Sequence, residues 1–554
     1  MMAVMYEDSM SSSQTALSIA LGGVVVHTVY FQRYEYHRHL YSLLGISFAI
    51  TAFYPYFLYR WLAKSPADSI YIATFHGGSL VGGAVLSTIL YRLFLSPLNR
   101  FPGPFSARLT DFWLAFHVGK KLNQYQRLQD LHRRYGRIVR TGATHLSISD
   151  PTFVEPVLGY NATTVKGAWY DIDYPHHSLH EERDPAKHEA KRRLWAPAFS
   201  VSALRSYDRE IQPVNRKFVQ RITELEGVPM NITYWISIHM FLVMQATVFG
   251  KHDALTGSGE AAAMVEVLSS GMEILGLVLP PWFIRLLKLI PGNPLADFHA
   301  FTNRELENAV RSNFYLGKDA DHPSSRSMVS WLHRIYEHEP DPATNALFRV
   351  DARLLITAGS ETSASAMIYL FYLLAKHPDH VLIIREELGA CIQGVESWSD
   401  VDINSCKHLN ACIKEALRLF PPGPSGVFRL TPPQGLQVGE IYIPGNTNIQ
   451  LPTFSVHRDA SAYVQAEAFI PERWYSKPEL IKNINAWVPF AHGPYQCIGK
   501  SLAMMEIRSL TAKVLLAHDV RLAPGEDGSL LLNESKDHFS MSLAPLNLVF
   551  NRVK

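Results

Sequence analysis

The sequence predicts a mainly α-helical protein with a small β portion, preceded by one to three membrane-crossing helices. Three observations carry this expectation. Apolar runs at 15–31, 41–59 and 70–90 fill the first hundred residues. Beyond residue 105, long stretches repeat apolar residues at helical spacing. Only two short stretches alternate in the manner of strands. The totals agree with a large buried interior: 554 residues, 47% apolar and 18% charged. Lys plus Arg number 52 and Asp plus Glu 50, so no net field draws the chain to nucleic acid. Four cysteines over this length make no disulfide framework, and neither a CxxC pair nor an HExxH helix offers zinc a site. A reducing compartment suits such a chain.

Each apolar run approaches the ~20 residues that a helix needs to cross ~30 Å of hydrocarbon. Pro55 and His76 interrupt the second and third. The first is no secretory leader, because Glu7 and Asp8 precede it and no Lys or Arg does. Arg33 and Arg38 after the first run, and Arg92 and Arg100 after the third, favour the cytoplasmic side, whereas Arg60 and Lys64 argue the other way. An odd number of spans leaves the large remainder cytosolic; the alternative has the second run lying only in the interface. Gly78 and Gly82 give the third run a small-xxx-small spacing suited to close helix packing. Prolines 97, 102 and 104 then make a stiff connector. The expected division is a short non-cytosolic tail (1–14), a membrane anchor (15–95), a proline-rich hinge (96–104) and a catalytic body (105–554).

Within the body, helices are expected over 122–135, 201–225, 232–248, 350–375, 381–392 and 498–517. A strand is expected over 145–150, and two strands over 436–452 about the Pro444-Gly445 turn. The stretch 275–290, strongly apolar with a Pro-Pro break, reads equally as an access lid against a membrane or as core. His176, His177, His377 and His380 lack an evident third metal ligand and read as exposed or capping residues.

The chemistry concentrates at "PFAHGPYQCIG", residues 489–499. Cys497 is either an inert core thiol or a sulfur placed for something flat to approach. It stands just before an expected helix, where free amides and the positive dipole end favour thiolate. Gly493 and Gly499 leave the backbone bare beside it. Such a thiolate suits the fifth position of a haem iron. Phe490-x-x-Gly493-x-x-x-Cys497-x-Gly499 resembles the haem-binding signature of the cytochrome P450 superfamily. Three further motifs match in order: Glu415-x-x-Arg418, "FIPERW" with Arg473, and "AGSET" with Gly359, Glu361 and Thr362. The resemblance spans residues 96–520.

That resemblance implies a P450 fold holding haem b, with Cys497 as the iron ligand and Phe490, Gly493 and Gly499 shaping its loop. It implies that Glu415, Arg418 and Arg473 form a buried ion group supporting that loop. His188, Arg192 and Arg429 become propionate-binding residues, and Tyr495 departs from the Arg or His usual at its position. Gly359 would leave room for dioxygen in a locally opened helix, the Thr362 hydroxyl would hydrogen-bond it, and Glu361 would relay protons. Lys187, Lys191 and Arg193 would offer an electron donor a positive surface. The implied partners are NADPH-cytochrome P450 reductase, O2, a lipophilic small-molecule substrate and the membrane, without nucleic acid. Substrate contacts are expected from 169–180, Leu354, Ala358, 423–428 and 539–541. The style of the chain resembles fungal enzymes of specialised metabolism, placed in the endoplasmic reticulum membrane with the body facing the cytosol. The leading expectation is a monooxygenase. Alternatives are a haem-thiolate enzyme of ring coupling, dehydration or isomerisation, and a non-catalytic haem-binding membrane protein.

Overall fold

The computed structural model describes residues 2–250, 258–292, 294–311, 327–336, 345–392 and 398–553. Three long N-terminal helices come first: α1 (Met2–Val26), α2 (Leu40–Trp61) and α3 (Pro66–Leu90). With their flanking turns, all three are long and apolar enough to cross a membrane, and almost none of their surface is buried. Helix α1 starts at Met2, so it takes in the stretch read as a tail. Helix α2 runs through Pro55 without a break. His76 is satisfied by the Tyr54 hydroxyl at 2.8 Å on the neighbouring helix.

Helices α1 and α3 meet through glycines, but not through the expected pair. A Cβ at Gly78 or Gly82 would meet nothing within 4 Å. A Cβ at Gly83 would lie 2.0 Å from the Ala20 carbonyl oxygen, and one at Gly23 the same distance from that of Leu80. The reciprocal pair Gly23 and Gly83 therefore lets the two backbones touch. The connector is docked, not free. Leu98 and Phe101 are buried in the body, and the Arg140 amide donates to the Pro102 carbonyl at 2.8 Å.

The body is built around the central helix Ala346–Lys376, capped at its N-terminus by the Asn345 side chain. From Ser363 to Ala375 every residue is buried, which fits a helix enclosed in a core. It packs against Ile232–Phe249, Lys407–Leu419 and Lys500–Ala517 in the largest hydrophobic cluster. Ile232–Phe249 is also apolar enough to span a membrane, yet 72% of that stretch is buried inside the body. The other expected helices form as Gln124–Tyr135, Val201–Glu224 and Pro378–Cys391. The stretch 275–290 forms a turn about Pro280 and the short helix Pro281–Leu287. Leu279 and Ile284 pack beside Trp169 and Phe428, while Leu289 and Ile290 stay exposed.

A five-stranded sheet flanks the helices, in the order Ile138–Arg140, His145–Ile148, Asn448–Gln450, Phe428–Leu430, Val165–Lys166. The stretch 436–452 departs from expectation. It makes a hairpin, Leu436–Val438 with Ile441–Ile443, turning at Gly439 rather than at Pro444-Gly445. Its third piece, Asn448–Gln450, leaves to run parallel to His145–Ile148.

Glu415, Arg418 and Arg473 are fully buried and form one ion group. Arg418 grips Glu415 at 2.8 and 2.9 Å through both ends of its fork, and Arg473 Nε reaches the same carboxylate at 2.9 Å. The Trp474 indole and the Ile470 amide also donate to it, at 2.9 and 3.1 Å. The remaining guanidinium protons reach the carbonyls of His457, Ala466 and Ala468 from Arg418, and of Val464, Gln465 and Leu480 from Arg473. His457 carries the support onward. Its Nδ1 faces the Arg418 carbonyl at 3.0 Å, and its Nε2 accepts from the Val488 amide at 2.9 Å, next to the cysteine loop. Burial first, then the Arg418 charge, pushes the His457 pKa down to about 3, so the ring is neutral and that acceptor is always available. Glu415→Ala would leave two buried guanidinium groups without their acid. It is expected to cost ~3–5 kcal/mol of stability, read by denaturant unfolding of the full chain. A cost below ~1 kcal/mol would contradict this view of the network.

Candidate active site

The cysteine loop is folded tightly against the body. Gly493 sits at φ 68°, and a Cβ there would lie 2.2 Å from the Leu158 carbonyl oxygen, so no other residue fits. The Cys497 amide donates to the Phe490 carbonyl at 2.9 Å, closing the loop just ahead of helix Lys500–Ala517. The Cys497 side chain is free and exposed, but into an internal cavity of about 320 Å3 rather than to the outer surface. Phe490 and Gly499 share that wall. A Cβ at Gly499 would meet nothing nearer than Cys497 Sγ at 3.8 Å and Phe199 at 3.9 Å, so it would fill open space. The helix-end argument for a thiolate is only part of the balance. Burial pushes the thiol pKa up, against hydrogen bonds from the Gly499 and Lys500 amides and the charges of Arg192 and Lys500.

One corner of the cavity is strongly cationic. His188, Arg192 and Arg429 all line it, as expected, and Lys166 and His180 join them. Lys166 and Arg429 are direct cross-strand partners, an arrangement of like charges that costs energy unless an anion serves both. The Arg429 Nε is buried without a hydrogen-bond partner. Burial, then the charges of Lys166 and its cationic neighbours, pushes both His180 and His188 down to about 3. Burial and Arg429 likewise hold Lys166 well below its ordinary value. Tyr495 fills the departure position with its ring. Lys166 Nζ and Arg429 Cζ each lie 4.9 Å from the ring centroid, and His188 meets it edge-on at 4.7 Å. The corner thus lacks a negative group that its residues are arranged to bind. A bare glycine beside a cavity-facing sulfur, with a dianion-shaped positive corner, fits a haem with its two carboxylates. Lys166 escaped the sequence reading because a two-residue strand leaves no periodic trace.

Arg192 also donates to the Gln496 carbonyl at 2.7 Å, binding its helix to the cysteine loop. Lys191 does not join a surface patch. It turns inward to the His177 carbonyl at 2.6 Å and to Asp351 at 3.0 Å. Lys187 and Arg193 are exposed, and Arg193 pairs with Glu189 at 2.8 Å. His380 is no cap either: it lies 3.0 Å from His408, and Cys412 completes a partly buried group with them.

Facing the cysteine loop, the central helix presents Ala358, Gly359 and Thr362 to the cavity. The helix is regular from Ala346 to Lys376, without the expected local opening. The Thr362 hydroxyl donates to the Ala358 carbonyl at 2.5 Å. A Cβ at Gly359 would lie 2.3 Å from the Met244 sulfur, so that flexible side chain would have to move. Glu361 faces away from Thr362, onto a separate cavity of about 80 Å3. Its Oε1 lies 3.2 Å from His538 Nε2, off the line of a straight hydrogen bond, and its other oxygen accepts from the Ser540 hydroxyl. Burial opposes the charge, but His538 and Ser540 outweigh it and hold the Glu361 pKa below its ordinary value. Glu506, unremarked in the sequence, lines the main cavity; burial pushes it up to about 8, so it is a neutral acid bonded to Ser363 at 2.9 Å. Tyr170, His180, Leu354, Gly423, Val427 and Phe539 complete the wall where substrate contacts were expected.

Residues 102–550 match the family model described as Cytochrome P450. The chain is 36% identical over 549 residues to cytochrome P450 monooxygenase lcsK of Purpureocillium lilacinum, covering 98% of this chain and 99% of that protein. It is 32% identical over 538 residues to cytochrome P450 monooxygenase FCK2 of Fusarium pseudograminearum, covering 96% of each. Tryprostatin B 6-hydroxylase of Aspergillus fumigatus is 32% identical over 550 residues, 96% of this chain and 95% of that protein. Membership implies a haem-thiolate iron cofactor, use of O2 and a redox partner, and sets aside a non-catalytic haem carrier. By family match, by full-length relatives and by the cysteine-lined cavity, the chain belongs to the cytochrome P450 family, oxidoreductases that incorporate oxygen.

Proposed function

We propose that this chain is a membrane-anchored, haem b-dependent monooxygenase that inserts one oxygen atom into a lipophilic specialised metabolite. Its electrons come from NADPH through a separate NADPH-cytochrome P450 reductase. The observation that carries this reading is the cavity itself, whose lining brings together Cys497, Thr362 and the basic residues Lys166, Arg192 and Arg429. When bound, a haem iron with an axial thiolate supplies the activation of dioxygen. Cys497 would hold the iron, and Lys166, His188, Arg192 and Arg429 would hold the carboxylates by charge-assisted bonds. Thr362 keeps a proton at Oγ1 on the cavity face, and Glu361 with His538 keeps a second proton reserve on the other side of the helix. The apolar lining excludes water and suits a lipophilic substrate. A relative named tryprostatin B 6-hydroxylase supports a specialised metabolite as substrate.

The three N-terminal helices support a three-span anchor in the endoplasmic reticulum membrane. The loop between α1 and α2 is bonded to the body, through Arg38 and Asp171 among others, so both belong on one side of the bilayer. That loop carries Arg33 and Arg38, which favours the cytosolic side for both. Arg60 and Lys64 are then the exceptions, in or beside the short loop between α2 and α3. A glycosylation sequon introduced at 62–65 is expected to be modified in microsomes, whereas one at 32–34 is not; the reverse pattern would invert the topology.

Reduced full-length protein with carbon monoxide is expected to show a thiolate-type Soret band that Cys497→Ser abolishes. Persistence of that band in the variant would overturn the ligand assignment. With reductase, NADPH and a panel of lipophilic metabolites, Thr362→Ala is expected to lower product per NADPH by about a hundredfold, at the lower end of acid–base effects. Hydrogen peroxide should account for the missing electrons, and unchanged coupling would remove Thr362 from proton handling.

A further inference from the structure

The loop joining α1 and α2 does more than turn the chain around. Its 3-10 turn Tyr36–His39 is pressed onto the body at a fully buried carboxylate, Asp171. His37 Nε2 reaches Asp171 Oδ2 at 2.7 Å, and Arg38 Nε reaches it at 2.8 Å. From the body side, Arg183 Nη1 meets the same oxygen at 2.5 Å, and His177 Nε2 lies 3.2 Å from the other. Arg183 then reaches back to the loop, donating to Glu35 at 2.6 and 2.8 Å. Arg285 donates to the His37 carbonyl at 2.6 Å and lies over the Tyr41 ring at 4.7 Å. Two carboxylates, Asp171 and Glu35, thus meet two paired guanidinium groups, Arg38 and Arg183. Burial works against the Asp171 charge, but the bonds from His177, His37 and Arg38 and the charge of Arg183 hold it far below the usual carboxylate range.

What Asp171 holds is the wall of the cavity. It ends the turn Ala168–Asp171, whose Trp169 ring stacks on Phe539 at 5.0 Å and whose Tyr170 lines the cavity. The chain then runs through Leu179 and His180, which also line it, to Arg183. Segment 168–183 is therefore secured at both ends, Asp171 and Arg183, by residues of the N-terminal loop. We propose that Glu35, His37 and Arg38 are positioning residues for this wall, so that the membrane-side helices set how tightly the substrate cavity is closed. The assignment of the wall to substrate rests on the monooxygenase reading; the mechanical coupling does not.

The test uses the full chain in lipid nanodiscs. Hydrogen exchange is followed in 168–183, where the amides of Tyr174, His176, Glu181 and Glu182 donate within the segment, and in helix Lys407–Leu419 as a control. Glu35→Ala/Arg38→Ala is expected to speed exchange in 168–183 about tenfold, with the control helix unchanged. Release of 4-phenylimidazole, a probe that enters the cavity, should quicken by a similar factor while the carbon monoxide spectrum keeps its intensity. Arg38→Lys should retain slow exchange and slow release. Unchanged exchange in the double variant would overturn the proposal, as would equal acceleration in the control helix. Unchanged probe release alongside faster exchange would also overturn it, because the wall would then move without affecting the cavity. Absence of a thiolate Soret band in the parent protein would instead remove the monooxygenase reading and leave the exchange result standing.

Discussion

Everything near the cysteine loop depends on one buried carboxylate. Glu415 accepts from two arginines, an indole and a backbone amide, and the two fully buried arginines have no water to fall back on. Because the arginines spend their other protons on carbonyls between residues 457 and 480, one acid gathers an irregular stretch of chain that has little regular structure of its own. His457 passes that order to Val488, and the cysteine loop begins one residue later. Loops are ordinarily the soft parts of a protein. Here a loop is made rigid by an ion group, so that a sulfur can be held still at the edge of a cavity.

The basic corner beside the cysteine loop follows a different rule, in which basic groups are crowded together. Lys166 faces Arg429 across a strand pair, with His188, Arg192 and His180 nearby. Such a corner is costly alone and would become favourable on the entry of carboxylates, so loading of a haem there would be coupled to the final folding of this region. Tyr495 makes sense in that setting. Its ring separates cations that a further Arg would only crowd, and offers them a π face in exchange.

The motif residues and the main helices were legible because each depends on short-range spacing. Glu415 and Arg418 are one turn apart, and Cys497 lies between glycines that only a tight loop requires. What escaped depends on contacts across hundreds of residues. Lys166 gains its meaning from Arg429, and the side chain that Gly359 meets is Met244 on another helix. The spacing of Gly78 and Gly82 was correct as a pattern but faced the wrong way, since sequence does not say which side of a helix meets its neighbour. Pro444-Gly445 marked a real turn, yet the strand beyond it chose a parallel partner in another sheet. Glu361 and Thr362 read as a pair, although adjacent positions on a helix point some 100° apart and here open onto separate cavities.

Helix Ile232–Phe249 would pass as a bilayer segment by length and hydropathy, yet it ends in the interior of a globular body. During synthesis it emerges after the three N-terminal candidate spans. Its fate is then a partition between lipid and a core that is still missing the central helix and the cysteine helix, both of which are translated later. The nascent chain has to keep this segment out of the bilayer for more than a hundred further residues. Targeting of this protein is therefore a question of timing as much as of affinity.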